Sequence, residues 1–361
     1  MNKLKKIGLT ALAGSLVAVS ANAGEMSVSG SLGATWSSQS GNTGTEATDN
    51  AKGIGTDKDF SVSGSGELDN GWTFSGYTLT KDDLTVSSSA LSITMGSLGT
   101  VSAGHGFGGN STKYDVQTPT AWEEVDDGGA TSLSANFVGS WADNNSVVYT
   151  SPALSVGDMS ATVDIEYSPK ASGTSPNDGG TVSSATYGNG MSLGVTVAGN
   201  GVKAGVYGAQ RENNVTYAAG SDSAADAFEG SAYINYTIGQ VSVGYSQSYY
   251  DSGLVGSVEA VTTAKVVGEA QGIFESDVYS IAFAVNDNLS LSYAKATDTY
   301  DAQDNAATAI ADVDMDMKSV QVAYSMGAMS IKAYRTETDN VGYQTDGGKL
   351  TVTEIALGLS F

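Results

Sequence analysis

The chain has 361 residues, and its 16 Lys and Arg against 39 Asp and Glu give a formal net charge of −23. This acidity excludes nucleic acid as a partner, because binding to phosphates requires a basic surface. The chain contains no cysteine, which excludes disulfide bonds and any cysteine-based metal site.

The first residues have the pattern of a secretory signal peptide. Lysines near the start precede an apolar or small-residue stretch over 7–20, and Ala21 and Ala23 place small residues where a signal peptidase cleaves. The apolar stretch is too short for a membrane-spanning helix. We therefore expect 1–23 to be removed and 24–361 to form one mature domain.

Beyond this leader, apolar and polar residues alternate with period two. Between Met159 and Tyr167, for example, Met, Ala, Val, Ile and Tyr alternate with Ser, Thr, Asp and Glu. Successive side chains of a strand point to opposite faces, so each such run predicts a strand with one apolar and one polar face. About sixteen strands are predicted, at 25–36, 57–68, 72–80, 88–97, 100–106, 145–151, 158–168, 186–198, 202–212, 226–238, 240–250, 273–285, 288–300, 314–326, 328–338 and 349–361.

Short and long connections alternate between these strands. Tight turns with residues that tolerate positive φ occur at 69–71 and 199–201, whereas connections such as 37–56, 107–144 and 251–272 are long. Outer-membrane barrels have this form, with short periplasmic turns and long outer loops. The sequence therefore predicts an all-β fold, a transmembrane antiparallel up-and-down β-barrel in the outer membrane with lipid around it.

Two features near the strand boundaries bear on the strand count. Residues 181–187 could form a seventeenth strand, but this would place the acidic loop 213–225 on the short-turn rim, so we assign 181–187 to a loop. The alternation of Leu357, Leu359 and Phe361 at the other end suits a last strand that closes the barrel.

Several short motifs, spread over essentially the whole mature chain, are shared with one known family. They are the Ala-Asn-Ala ending of the leader, Gly-Ser-Leu-Gly-Thr-Val-Ser-Ala-Gly at 96–104, the long third loop, Val-Val-Tyr-Thr-Ser-Pro at 147–152 and the terminal Phe361. In these features the chain resembles the general porins of alphaproteobacterial type. The resemblance implies a sixteen-stranded homotrimer that conducts ions and small hydrophilic solutes by passive diffusion, with the third loop folded into the lumen.

The long third loop, 107–144, carries most of the candidate selectivity residues. By the resemblance it is the pore constriction, and Trp122 could anchor it to the wall or face a trimer neighbour. Carboxylates at a narrow point attract cations and repel anions, so we expect cation preference, although a solvated acidic surface loop is the plainer alternative. The constriction candidates are Asp115, Glu123, Glu124, Asp126 and Asp127.

Strand phase predicts further polar side chains on the lumen wall. The lumen-wall candidates are His105, Asp164, Glu166, Lys203, Arg211 and Lys332. Members of the resembled family often oppose the loop carboxylates with a cluster of arginines on the wall. This chain has only two arginines, Arg211 and Arg335, so either lysines substitute for them or the transverse field is weak.

Other functions are less well supported by the sequence. His105 is the single histidine and no nucleophile-elbow motif surrounds a serine, so catalysis is not predicted. The acidic runs at 126–127 and 312–316 do not have the spacing of an EF-hand, and we predict neither a metal nor a cofactor. A structural or adhesive barrel with a plugged lumen, and a soluble acidic extracellular β-protein, remain as alternatives.

Overall fold

The computed structural model describes residues 24–41, 50–126, 144–171, 187–214, 225–251, 253, 273–301, 312–343 and 348–361. The predicted leader, 1–23, lies outside these ranges. The strands are β1 (Met26–Gly41), β2 (Ala51–Glu67), β3 (Thr73–Thr80), β4 (Val86–Thr94), β5 (Thr100–His105), β6 (Asn144–Thr150), β7 (Leu154–Val156), β8 (Met159–Ser168), β9 (Tyr187–Gly199), β10 (Val202–Asn213), β11 (Ala227–Ile238), β12 (Val241–Asp251), β13 (Ile273–Asn286), β14 (Leu289–Asp301), β15 (Val313–Met326), β16 (Met329–Asp339) and β17 (Lys349–Ser360). A short helix, α1 (Ser111–Tyr114), follows β5.

All of these strands belong to one antiparallel sheet that closes on itself. Strands that follow one another in the chain pair with each other, and β1 also pairs with β17, from Ser31 opposite Ser360 to Gly41 opposite Leu350. Both β6 and β7 pair with β8, so they share one position in the wall. The wall therefore has sixteen strand positions, which confirms the predicted up-and-down barrel.

The division between β6 and β7 has a local cause. Pro152 has no backbone N–H and cannot donate to a neighbouring strand. At this point the N–H of Ser151 donates to the carbonyl of Val163 at 2.8 Å, and the N–H of Val163 donates to Ser151 Oγ at 2.9 Å. The Ser151 hydroxyl thus substitutes for a backbone acceptor and keeps the wall continuous across the break.

The predicted number of strands agrees with the structure, but the end of β1 and the start of β2 differ from their predicted positions by five or more residues. β1 continues to Gly41 and β2 begins at Ala51, because the two strands stay paired up to Gln39 opposite Ala51. In this part Ser, Thr, Gly and Lys predominate, so the hydrophobic alternation that marks a strand is absent. No seventeenth strand separates β8 from β9, since Ser160 to Ser168 pair directly with Ala198 to Gly190; residues 181–186 lie outside the described part of the chain.

The tight turns of one rim follow from their residues. Between β9 and β10, Asn200 and Gly201 have φ of 54° and 80°. Two successive positive φ values are the requirement of a type I′ turn, which Asn-Gly meets at little cost. The strand ends that flank the long connections all lie at the opposite rim, as the predicted parity of short and long joins requires.

The two faces of the wall differ in exposure and in chemistry. In β8 the side chain of Ile165 is 43% exposed, whereas Asp164 and Glu166 on either side are 2% and 0% exposed. We call the face of Ile165 the outer face, and that of Asp164 and Glu166 the polar face. The outer face carries a band of exposed apolar residues, among them Leu32, Leu193, Ile234, Ile281, Leu291 and Leu357, as a lipid-facing barrel requires.

No helix in the described ranges is long and apolar enough to cross a membrane.

Candidate functional site

The candidate site is built around residues 106–126, which we call the loop-3 segment. It follows β5 and includes α1. The segment contacts polar-face side chains of β8, β11, β14 and β15 through hydrogen bonds. Asp127, one of the predicted constriction residues, lies outside the described residues.

Asp164 of β8 fixes the start of the segment. Its buried carboxylate forms an ion pair with Lys113 Nζ and accepts hydrogen bonds from Tyr114 Oη at 2.8 Å and from Thr150 Oγ1 at 2.6 Å. A carboxylate this deeply buried is stable only when it is paired and hydrogen-bonded. Asp164 is therefore a positioning residue of the segment, and Lys113 is a partner that sequence analysis missed.

Glu166 holds the turn before α1 in a similar way. Its carboxylate accepts hydrogen bonds from the backbone N–H of Asn110 at 3.1 Å, from Ser146 Oγ at 2.6 Å and from Ser192 Oγ at 3.3 Å. Gly109 has a φ of 48°, and a Cβ there would lie 2.2 Å from Glu166 Oε1. Glu166 was predicted on the lumen wall. In the structure it lies on the polar face, where its carboxylate binds the backbone N–H of Asn110 in the segment.

Tyr114 fills the space between the segment and the wall. Its ring stacks on that of Tyr207 with 5.3 Å between centroids, and its carbonyl accepts a hydrogen bond from Ser231 Oγ at 2.6 Å. A Cβ on Gly194 would lie 2.2 Å from the Tyr114 ring, so the glycine makes room for it. Burial raises the pKa of the Tyr114 phenol well above its ordinary value, and the group is neutral at physiological pH.

The middle of the segment is held by β10 and β11. The carbonyl of Gln117 accepts a hydrogen bond from Asn235 Nδ2, and Gln117 Oε1 accepts one from Lys203 Nζ at 3.0 Å. Lys203 Nζ also lies 5.4 Å from the centroid of the Tyr233 ring. Lys203 is therefore on the polar face, with its charge directed to the segment and an aromatic ring.

The far end of the segment binds to β14, β15 and β16. The backbone N–H of Ala121 donates to Ser292 Oγ at 2.8 Å, and that of Trp122 donates to Gln321 Oε1 at 2.9 Å. Gln321 Nε2 donates in turn to the carbonyl of Glu123 at 2.7 Å. One amide side chain thus satisfies both a donor and an acceptor of the segment.

Trp122 anchors this end by ring packing. Its ring lies 5.3 Å from that of Tyr334, and Lys332 Nζ stands 5.7 Å from its centroid. Of the two roles that the sequence left open for Trp122, packing against the barrel's own wall is the one observed. Lys332 lies beside the segment, on the same side of the barrel.

The carboxylates of the segment alternate with side chains that pack against the wall. Val116 and Val125 join a buried apolar cluster with Phe274, Met315 and Tyr343, while the acidic residues between them are partly exposed. The described acidic residues are Asp115, Glu123, Glu124 and Asp126, and each has a polar or electrostatic partner. The apolar cluster lies on the polar face near the long connections, which the sequence did not predict.

The last long connection also packs into this cluster. Tyr343 Oη donates a hydrogen bond to the fully buried Asp298, and burial together with the carboxylates of Asp298 and Asp126 raises the pKa of the Tyr343 phenol. Asp126 therefore lies close enough to act electrostatically on the Tyr343 phenol.

The remaining lumen-wall candidates are individually constrained. Arg211 is 8% exposed, with Cζ 3.7 Å from the Tyr187 ring centroid and a hydrogen bond of 3.2 Å to Tyr250 Oη. His105 is buried at a register shift of β5, and within the described residues its Nδ1 has no hydrogen-bond partner. Arg335 stands on the outer face, paired with Glu337 at 3.2 Å.

The residues that hold the segment were mostly missed by sequence analysis. Asn110, Ser231, Asn235, Ser292 and Gln321 are single polar residues without a motif around them. The one available signal was strand phase, because Gln321 alternates with Val320 and Val322 just as Asp164 alternates with its apolar neighbours. No group of three or more His, Cys, Asp or Glu placed to hold a metal occurs among the residues that the structure describes.

Solved structures with the same fold are porins and outer-membrane proteins. The anion-selective porin from Comamonas acidovorans is 13% identical, with 93% of this chain and 99% of that chain covered and a TM-score of 0.60. Salmonella typhi OmpF in complex with daunomycin is 15% identical (94% and 98% covered, TM-score 0.60). The trimer form of in-vitro folded OmpT, an outer membrane protein of Vibrio cholerae, is 16% identical (94% and 100% covered, TM-score 0.56).

Sequence comparison assigns the family directly. Among curated protein sequences none matches the chain, and likeness to structures at such low identity establishes the fold alone. The model of the Gram-negative porin family, however, matches residues 8–361. Together with the closed barrel, this match shows that the chain belongs to the Gram-negative porin family of the outer membrane.

Proposed function

We propose that the protein is a cation-preferring channel through which ions and small hydrophilic solutes diffuse passively across the outer membrane. The observation that carries this proposal is the attachment of the loop-3 segment to the polar face from Thr150 of β6 round to Tyr334 of β16. The apolar band occupies the outer face, so a segment bound to the polar face lies in the lumen. There it narrows the passage without filling it, because most polar-face residues of β1–β4 stay exposed or half-exposed.

Charge at the narrowed level favours cations. The described part of the segment carries four carboxylates, Asp115, Glu123, Glu124 and Asp126. Of the nearby cations, Lys113 is paired with the buried Asp164, which leaves Lys203 and Lys332 beside the segment. An excess of carboxylates at a narrow point concentrates cations and repels anions. Family membership supports a channel and not an enzyme, and the proposed mechanism needs no cofactor or metal.

Export and assembly complete the proposal. Residues 1–23 direct the chain to secretion as a cleaved signal peptide, and the mature barrel inserts among outer-membrane lipids. A homotrimer is the proposed assembly, in line with the trimer form of the Vibrio cholerae OmpT structure.

Single-channel current across a planar bilayer tests this function. Detergent-purified mature protein in a salt gradient should give conductance steps in triplets, with a reversal potential on the cation side of zero. Replacing both Glu123 and Glu124 by Gln should move the reversal potential toward zero. Glu275→Gln is the matched control, because this carboxylate stands on the outer face, opposite Tyr249 and Thr299.

Two results would contradict the proposal. A folded barrel that inserts but conducts no current would favour the structural or adhesive alternative. A conducting barrel with a reversal potential on the anion side would agree with the channel function but would contradict the cation preference.

A further inference from the structure

Hydroxyl groups line the part of the wall that the loop-3 segment leaves uncovered. We call it the serine wall; its main members, on the polar face of β1–β4, are Ser29, Ser31, Ser61, Ser63, Ser75 and Ser92. Register places them together, with Ser29 opposite Ser61 and Ser75 opposite Ser92. Ser63 Oγ also lies 2.7 Å from Ser27 Oγ, which shows that the hydroxyls of neighbouring strands share one face.

Exposure shows that the serine wall borders open space. On the covered side, the polar-face residues Asp164, Ser231 and Gln321 are 2%, 6% and 2% exposed. Every member of the serine wall, in contrast, is exposed or half-exposed. The segment therefore occupies one side of the lumen, and the remaining passage runs between its carboxylates and these hydroxyls.

The two sides of this passage are at a similar level of the barrel. Ser292 and Gln321, which bind the segment, lie within a few residues of the tight-turn ends of β14 and β15. Ser61 and Ser63 lie at a comparable distance from the tight-turn end of β2. The serines thus face the level at which the segment crosses.

The serine wall carries no positive charge. β1, β3, β4 and β5 contain no lysine or arginine, and Lys52 and Lys58 of β2 pair with Ser38 and Leu32, on the outer face. The acidic residues on the polar face of these five strands are Asp57 and Asp59, nearer the long-connection rim, and Glu67 at the tight-turn end of β2. The uncovered side of the passage is therefore neutral or negative, and Lys203 and Lys332 both lie on the segment's own side.

From this arrangement we infer that no cation opposes the carboxylates across the constriction, and that the passage does not sort dipolar solutes from uncharged ones. The inference rests on the proposed channel function and names its substrate class. Carboxylates opposed by cations across a narrow gap would orient a zwitterion, whereas carboxylates opposed by hydroxyls act on net charge alone. Each serine hydroxyl both donates and accepts hydrogen bonds, so uncharged polyhydroxylated solutes and cations are the favoured cargo.

Liposome swelling with solutes of equal size tests the inference. The probes are a pentose sugar, a zwitterionic amino acid and a sugar-acid anion, each with wild-type protein and with Ser61→Arg and Ser61→Gln. For the wild type, sugar and zwitterion should enter at equal rates and the anion more slowly. Ser61→Arg places a cation opposite the segment and should change the zwitterion-to-sugar ratio on the order of fivefold, while the neutral Ser61→Gln should leave it unchanged.

The possible outcomes separate this inference from the proposed function. If the wild type sorts zwitterion from sugar while conducting a cation-preferring current, the inference is wrong and the channel function stands. If Ser61→Arg and Ser61→Gln give the same ratio, position 61 does not face the passage and the inference also fails. A barrel that admits no solute at all contradicts the channel function itself.

Discussion

The start of the loop-3 segment is attached through the buried carboxylate of Asp164, and removing it should release this part of the segment without unfolding the barrel. Asp164→Ala abolishes the ion pair with Lys113 and the hydrogen bonds from Tyr114 and Thr150. A hydrogen bond to a charged group contributes about 1.5–3 kcal/mol. The ion pair adds no more than about 1 kcal/mol, because the Lys113 side chain is 41% exposed and screened by solvent.

The bond from Thr150 joins two strands of the wall, so only the Tyr114 bond and the ion pair hold the segment. Their loss amounts to about 3 kcal/mol, which corresponds to a roughly 100-fold rise in the detached population. Hydrogen exchange measures it directly. The amide of Lys113, which donates to the Asn110 carbonyl at 3.0 Å, should exchange about 100-fold faster in the variant, while amides of the strand ladders keep their rates. Asp277→Ala on the outer face, which removes an acceptor of Tyr245, should leave the Lys113 amide unchanged.

The reasoning fails if Asp164→Ala accelerates exchange equally over the whole barrel, since the carboxylate would then stabilise the wall. It also fails if the rate at Lys113 does not change. Asp164→Asn retains one acceptor oxygen but no charge, and an intermediate rate is expected for it.

Three further predictions concern the packing of the segment, the outer face and alkaline pH. Gly194→Val should displace the Tyr114 ring, because a Cβ at this position would lie 2.2 Å from the ring. The expected cost is about 1–3 kcal/mol, and single-channel current noise should increase. Gly208→Ala should not have this effect, because a Cβ there meets no atom closer than 3.7 Å. Ile281→Arg on the outer face should lower the free energy of unfolding by about 2–4 kcal/mol, measured by denaturant unfolding from liposomes. Thr299→Arg, near the long-connection rim, should lower it by only about 0–1 kcal/mol. Equal costs would contradict the assigned lipid-facing band. Burial raises the pKa of Tyr114 above its ordinary value of about 10, so its contribution to attachment is fully present below that pH and is lost as pH rises. Exchange at the segment should therefore accelerate in strong alkali, and Tyr114→Phe should abolish this acceleration.

The sequence by itself determined the barrel and the direction of most wall side chains. Period-two alternation is a local property of extended backbone, so Asp164 and Glu166 could be assigned to the face opposite Ile165 without knowledge of the fold. The alternation of short and long connections then indicated which strands are neighbours in the sheet, because a tight turn such as Asn200-Gly201 joins only antiparallel neighbours.

Alternation failed where the environment of a strand changes along its length. In β15, Val320 and Val322 are on the outer face, but Met315 and Met317 are buried on the polar face beneath the loop-3 segment and Tyr343. Hydrophobicity reports burial in any apolar surroundings, and it does not tell lipid from a packed interior. The alternation therefore predicted the strand without revealing that its apolar side changes from one face to the other.

Only the tertiary structure decided which residues meet in the lumen. Lys113 reaches Asp164, and the Trp122 backbone reaches Gln321, across 51 and 199 positions of the chain. Such pairs depend on how the closed sheet curves and on where the segment crosses it, and no local pattern encodes either. The pairing of β1 to β4 likewise brought scattered serines onto one stretch of the polar face, because cross-strand register decides which residues of different strands lie side by side.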